Sequence, residues 1–186
     1  MLNSQERIVL KRDCESIQVP YGTTLELREG MVVFLMQKLG DTFTVRTESG
    51  YLVRINNQDA DALGYEPVTT PAILAKRDNI QGDLDDNLLW EQLKTCYDPE
   101  IPANIVDLGL IYEVVSEKLD DNTYKIYVKM TLTAPGCGMG QVLHDDVERK
   151  LLEVPGVKTV TVDLVFDPPW DRDMMSEAAR LQLGMY

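Results

Sequence analysis

Thr131-Leu132-Thr133-Ala134-Pro135-Gly136-Cys137-Gly138-Met139-Gly140 is the stretch that decides how this 186-residue chain folds. It opens as the end of a strand. Upstream, Tyr124, Ile126, Val128, Met130 and Leu132 alternate with Lys125, Tyr127, Lys129, Thr131 and Thr133, the period-two pattern of a sheet with one face on helices and the other partly wet. The strand breaks at Ala134-Pro135-Gly136. Downstream, Met139, Leu143, Val147 and Leu151 recur every fourth residue and Val142 and Leu152 widen the stripe, which predicts an amphipathic helix from Met139 to Leu152. The junction sets one cysteine, Cys137, between Gly136 and Gly138 at a helix start. Unpaired backbone N–H groups and the positive end of the helix dipole favour thiolate there, and the glycines keep bulk away from the sulfur so that a ligand can approach. The competing reading is a buried structural cysteine beside a tight turn.

On the N-terminal side, Leu89, Leu93, Cys96 and Tyr97 share a helical face, with Asp85 or Asp86 placed to cap it and Asp98-Pro99 to end it. On that face Cys96 reads as core. Pro99 to Asn104 is a loop, and the run Ile105 to Val115 reads for the most part as a strand, with a hairpin turn at Asp120-Asp121-Asn122. On the C-terminal side, Glu153-Val154-Pro155-Gly156 closes the helix and a third strand alternates Val160, Val162, Leu164 and Phe166 against Thr159, Thr161 and Asp163. Asp167-Pro168-Pro169-Trp170 is a rigid extended segment, and a last helix around Met174, Ala178 and Leu181 stops at Gly184. Helix, strand, strand, helix, strand, helix is the order of a small α+β domain with a mixed three-stranded sheet and helices over one face.

Residues 6–56 read as short strands separated by Gly22, Gly30, Gly40 and Gly50 in polar turns, a small antiparallel sheet or barrel. One short helix, Asn57 to Leu63, ends at Gly64. The expected organisation is a β-rich module over 1–64, a linker over 65–82 that begins Tyr65-Glu66-Pro67-Val68-Thr69-Thr70-Pro71, and the α+β domain over 83–186. Cys14 falls in a strand or turn of the first module.

The net charge of −13 is unevenly spread: residues 1–82 hold nine Lys/Arg and eleven Asp/Glu, residues 83–186 nine and twenty. Phosphate backbones are repelled by such a surface, so nucleic acid is not an expected partner. No apolar run reaches membrane-spanning length and the first residues lack a signal-peptide pattern, so a cytoplasmic protein without a membrane partner is expected. Three cysteines, Cys14, Cys96 and Cys137, show no paired spacing, which argues against a disulfide framework. They also fall short of the four thiolates that hold a permanent cluster or a closed zinc site. Any metal bound here is shared, exchangeable, or held across subunits.

The glycine-rich turn lacks the Lys-Ser/Thr of a phosphate-binding P-loop. The chain's one histidine, His144, follows Cys137 by seven helical residues, about 10 Å along the axis, too far for a Cys–His catalytic pair. It reads as a surface or packing residue. Asp107 lies in an apolar run where an ionised carboxylate needs partners, and is either a site residue or a turn aspartate beside Gly109. Thr131 and Thr133 share a face and lead to the cysteine, where they hydrogen-bond a ligand or line the wet face of the strand. Trp170 either walls a pocket or pins a loop onto the core.

Taken together, Tyr97-Asp98-Pro99-Glu100-Ile101-Pro102, the run Asn104 to Tyr112, Met130 to Cys137, Val154-Pro155-Gly156-Val157 and Asp167-Pro168-Pro169-Trp170 resemble the PaaD-like metal–sulfur cluster biosynthesis domain in content and order. The match runs from about Leu84 to Met185, and the β-rich module with its Asp59-Ala60-Asp61-Ala62-Leu63-Gly64 ending is similar to the longer SufT type of that family. The resemblance implies an accessory factor in iron–sulfur protein maturation with a mixed α/β fold, in which the family's reactive cysteine falls on Cys137, its acidic partner on Asp107 and its threonine on Thr133. On this reading the protein is a carrier and not an enzyme. Cys137 is a transient metal ligand to iron or an iron–sulfur cluster, and Asp107, Thr131, Thr133, Gly136, Gly138 and Trp170 surround the bound group. Its partners are the iron–sulfur assembly machinery and client apoproteins, and a homodimer is one way to complete a shared site. Two alternatives stand beside it: a persulfide or redox enzyme using the same thiol, and a metal-free module that recruits clients through its acidic surface.

Overall fold

The glycine-punctuated first third of the chain forms six strands: β1 (Glu6–Val9), β2 (Cys14–Gln18), β3 (Thr24–Leu27), β4 (Val32–Leu39), β5 (Thr42–Thr47) and β6 (Leu52–Ile55). They pair antiparallel in the order β1-β4-β5-β6-β2-β3. The structure is a computed structural model that describes residues 6–71, 83–136 and 138–185, and its chain divides into two units, Met1–Val68 and Thr69–Tyr186. The first unit packs Ile8, Val33, Phe43, Val45, Val53 and Ile55 beneath a 3-10 helix at Asn57–Leu63 whose Ala60, Ala62 and Leu63 face the same core. Gly64 ends that helix at φ 83°, a left-handed conformation open to glycine without strain. Beyond it the chain stays tied to this unit. Tyr65 stacks on Phe43 with ring centroids 5.3 Å apart and donates its hydroxyl to Glu6, and the Asn57 amide exchanges two hydrogen bonds with the backbone of Val68. Residues 72–82, the rest of the expected linker, lie outside the described residues.

The second unit has the expected alternation of elements. Helix α1 (Asp86–Leu93) is capped by Asp85, whose side chain accepts from the backbone N–H of Asn87. β7 (Ile111–Lys118) and β8 (Tyr124–Met130) form an antiparallel hairpin; α2 (Gly140–Leu152) carries the chain over to β9 (Val157–Leu164), which pairs parallel with β8; and α3 (Glu177–Gln182) follows a 3-10 turn at Arg172–Met174. The sheet order is β7-β8-β9, a mixed three-stranded sheet. The period-two face of β8, Tyr124, Ile126, Val128 and Met130, is buried against Leu143, Val147 and Leu151 of α2 and Leu89 and Leu93 of α1. Cys96 sits in this core, fully buried.

Three readings differ in detail. The run Ile105–Leu110 is not strand: Asn104 accepts from the Asp107 N–H through its side chain and from the Leu108 N–H through its carbonyl, Gly109 donates to Val106 and Leu110 donates to Ile105. The backbone is satisfied locally, and Ile105, Leu108 and Leu110 reach the core from consecutive turns. Phe166 lies past the end of β9 and is exposed. The last helix begins late, because Ser176 caps it by accepting from the Ala179 N–H, and this start turns Ala179 inward while Leu181 stays in solvent.

One buried charge ties the helices together. Lys150 on α2, 0% exposed, donates to the Thr95 carbonyl at 2.7 Å just past α1 and lies 3.5 Å from Asp146. A cation at the carbonyl end of a helix is well placed against the dipole. Among the described residues no helix is long and apolar enough to cross a membrane.

Replacing Lys150 by Met removes the cation but keeps the stem, and is expected to cost about 3 kcal/mol in urea unfolding because the remaining polar partners stay buried. In the first unit, burial pushes the Cys14 thiol up from 9.0 to about 11. A raised thiol pKa in the folded state means a stabilising contribution intact below about pH 9 and lost as pH rises towards 11, because the unfolded chain ionises first. Urea midpoints measured from pH 8 to 11 should fall more steeply for the native protein than for Cys14→Ala.

Candidate functional site

β8 ends at Met130, before its hydrophobic alternation does, and its last partners are backbone. The Val165 N–H donates to the Met130 carbonyl and the Thr131 N–H to the Leu110 carbonyl. By alternation Thr131 belongs to the wetter face, yet it is 0% exposed, and its hydroxyl has no hydrogen-bond partner among the described residues. Leu132 turns back into the core and Thr133 is half-buried. Ala134, Pro135, Gly136 and Gly138 are then exposed, before Met139 and Gly140 are buried again at the start of α2. This turn is pinned at both ends and open in the middle. A Cβ on Gly140 would come within 2.6 Å of a Leu132 methyl, so strand end and helix start touch there. At Gly136, with φ 80°, nothing lies within 4 Å of the same position. Cys137, the residue between the exposed glycines, lies outside the described residues.

The start of α2 is electrostatically bare. Met139 caps it without a side-chain hydrogen bond and its first turn holds no acidic residue, while Arg149 and Lys150 occupy the last turn. The first amides of the helix are therefore left for whatever anionic group is nearby.

Asp107 is a half-buried turn residue held by its neighbour. The Asn104 amide donates to its carboxylate at 2.6 Å and its own N–H donates back to Asn104 at 2.8 Å. Its carbonyl accepts from the Ser176 N–H, which joins this turn to the cap of α3. Gly109, two residues on, has φ 72°, and a Cβ there would sit 2.3 Å from the Met174 carbonyl oxygen; the 172–174 segment crosses directly over it. Trp170 pins that segment from the other side, donating from Nε1 to the Leu108 carbonyl at 2.8 Å and packing on the core. Beside it lies an open cavity of about 660 Å³ lined by Ile111, Tyr112, Glu113, Lys129, Pro168 and Met174 among others. The Tyr112 hydroxyl closes its rim on the Pro168 carbonyl at 2.8 Å, and the Glu113 carboxylate beside Lys129 holds that ammonium above its ordinary value.

Asn104, Tyr112 and the Glu113–Lys129 pair are the residues that sequence reasoning did not single out. Asn104 was visible as the first residue of an Asn-x-x-Asp spacing, the signature of a side chain that caps the third amide onward. The other two depend on which strands are neighbours. His144 carries no thiol partner among the described residues; its ring meets the Val162 carbonyl and Asp145 instead.

Residues 88–164, from α1 to the end of β9, match the family described as iron-sulfur cluster assembly protein. A "Fe-S protein maturation auxiliary factor" from Porphyromonas gingivalis is 50% identical over 92 residues, covering 50% of this chain and 84% of that protein. The chain belongs to the iron–sulfur cluster assembly protein family. The "Fe-S protein maturation auxiliary factor SufT" from Staphylococcus aureus is 43% identical over 88 residues, 47% of this chain and 96% of its own length. A crystal structure of a domain of unknown function, DUF59, from Bacillus anthracis is 35% identical, with a TM-score of 0.49 over 54% of this chain and 92% of that one. The motif resemblance to this family is thereby borne out, and the relatives are named auxiliary factors rather than enzymes.

A buried hydroxyl without a partner costs about 1–3 kcal/mol relative to an apolar group of the same shape. Thr131→Val is therefore expected to raise stability by about 1 kcal/mol in chemical denaturation. A loss of stability instead would mean that the hydroxyl is satisfied in the folded chain.

Proposed function

We propose that this chain is an accessory factor in iron–sulfur protein maturation that holds iron or an iron–sulfur cluster transiently and passes it to client apoproteins, with the Cys137 thiolate as the protein's ligand to the metal. The observation that carries this reading is the turn between β8 and α2, buried at Leu132 and Met139 and exposed at Gly136 and Gly138, with open space beside Gly136 for an incoming group. The cysteine inventory supports it. Cys14 and Cys96 are buried, which leaves Cys137 to act.

The roles of the surrounding residues follow from what each can offer. The free amides at the start of α2 favour the thiolate over the thiol, which is the form that binds metal. Asp107, tethered by Asn104, supplies an oxygen ligand or takes the thiol proton. The unpartnered hydroxyl of Thr131 and that of Thr133 donate to a bound sulfide or oxygen, Gly136 and Gly138 admit the cargo, and Trp170 holds the loop that shapes the rim. One thiolate and one carboxylate leave at least half the positions on the iron unfilled. The remaining ligands then come from a small thiol, a second copy of the chain, or the client, which suits hand-over better than storage. The machinery this serves is cytoplasmic on the same reading, and the chain itself performs no bond-making turnover.

Anaerobic reconstitution with ferrous iron and sulfide, followed by activation of an apoprotein client, should give cluster absorbance and activation with the native chain and neither with Cys137→Ser. Equal absorbance and equal activation from the two proteins would remove the thiolate from the mechanism.

A further inference from the structure

A second group of metal-ligating side chains lies on α2. We infer that His144, Asp145 and Glu148 form a binding site for one divalent first-row transition ion, with a donor set of one nitrogen and two carboxylate oxygens. Their ligand atoms all lie within 4.8 Å of one another. His144 and Glu148 stand one helical turn apart on the same face, a spacing that lets both reach one ion.

The tautomer of the ring is what makes this more than a cluster of exposed polar groups. His144 Nε2 lies 3.1 Å from the Val162 carbonyl oxygen. β9 is an outer strand of its sheet, and the Val162 carbonyl lies within hydrogen-bond distance of the ring. A carbonyl only accepts, so Nε2 carries the proton and Nδ1 presents its lone pair. That lone pair faces the Asp145 carboxylate at 2.9 Å. Two acceptors at this distance repel unless a cation or a second ring proton lies between them. Gln141 Nε2 donates to the same carboxylate at 2.7 Å but stands 3.3 Å from Nδ1, which orients the pair without separating its two like-signed atoms. A ring fixed by a backbone carbonyl through one nitrogen, with the other nitrogen aimed at carboxylates, is the arrangement that metal-bound histidines adopt. The side chain of His144 is 22% exposed and that of Asp145 is 62% exposed, so an ion here keeps solvent on its open side and exchanges readily. One imidazole with two carboxylates selects zinc, cobalt or ferrous iron over soft copper(I) and over calcium, which prefers all-oxygen sites.

The chain's single histidine gives the test a direct readout, because a long-range proton–nitrogen spectrum of tag-free protein contains one imidazole. The full-length chain with Cys137→Ser removes the thiolate as a competing ligand, so failure here is separable from failure of the cysteine site. Zinc titration should show one equivalent bound, with the Nδ1 resonance moving while Nε2 stays protonated. Asp145→Asn and Glu148→Gln, both at solvent-accessible positions, should each weaken binding roughly tenfold or more, the scale on which even the outer partners of a metal ligand act. A ring that stays doubly protonated or unshifted in excess zinc, or carboxylate variants that bind as tightly as their parent, would overturn the assignment.

Discussion

Burial of one face of β8 is the constraint on which the second unit depends. Tyr124, Ile126, Val128 and Met130 are almost wholly withdrawn from water against α1 and α2, and each full burial of such a side chain contributes about 1.5–3 kcal/mol. A slip of one residue in the pairing with β7 or β9 would send all four to the opposite face. The register is fixed by that penalty, and with it the residue at which the strand ends. Leu132 and Met139 are both buried, on either side of the turn, while Ala134, Pro135, Gly136 and Gly138 between them are exposed.

The rest of the candidate site is held by two segments that lock onto each other rather than by regular structure. The turns at Ile105–Leu110 send three side chains inward and keep their own backbone bonded. The segment from Pro168 to Ser176 lies across them, fastened by Trp170 to the Leu108 carbonyl, by Met174 over Gly109 and by the Ser176 N–H to the Asp107 carbonyl. Glycine at 109 is required twice over, by its positive φ and by the carbonyl that occupies the space of a Cβ. Asp107 is thus held by Asn104 through its carboxylate and by the cap of α3 through its carbonyl, and only the second of these partners is distant along the chain.

This explains what was legible in the sequence. Periodicity reports which face of an element is buried, so β8, α2 and the strands of the first unit could be read from spacing alone, together with the glycine-flanked cysteine at their junction. An apolar run such as Ile105–Leu110 buries the same residues whether it is strand or tucked turn; the deciding signals were Asn104 and Gly109, which mark a capped turn and a left-handed residue. Thr131 shows the opposite failure. Alternation assigns it to the wet face, but it is 0% exposed, and its hydroxyl is buried without a partner among the described residues. Contacts such as His144 to Val162 depend on which strand forms the sheet edge, and no local pattern encodes that.

Charge placement matters more here than charge total. Residues 83–186 hold nine Lys/Arg against twenty Asp/Glu, a surface that draws cations in and turns anions away. A thiolate or a thiolate-bound cluster is itself anionic and gains nothing from that field. The start of α2 is the local exception: its first turn contains no acidic residue, its amides have no side-chain cap, and its acidic neighbours begin only in the second turn. Helix-terminus effects fall away within about one turn, so an anion at the β8–α2 junction feels the amides more than the carboxylates beyond. On the proposed reading, the acidic surface gathers the metal and the bare helix end favours the thiolate that holds it, and both come from where the carboxylates stop along α2.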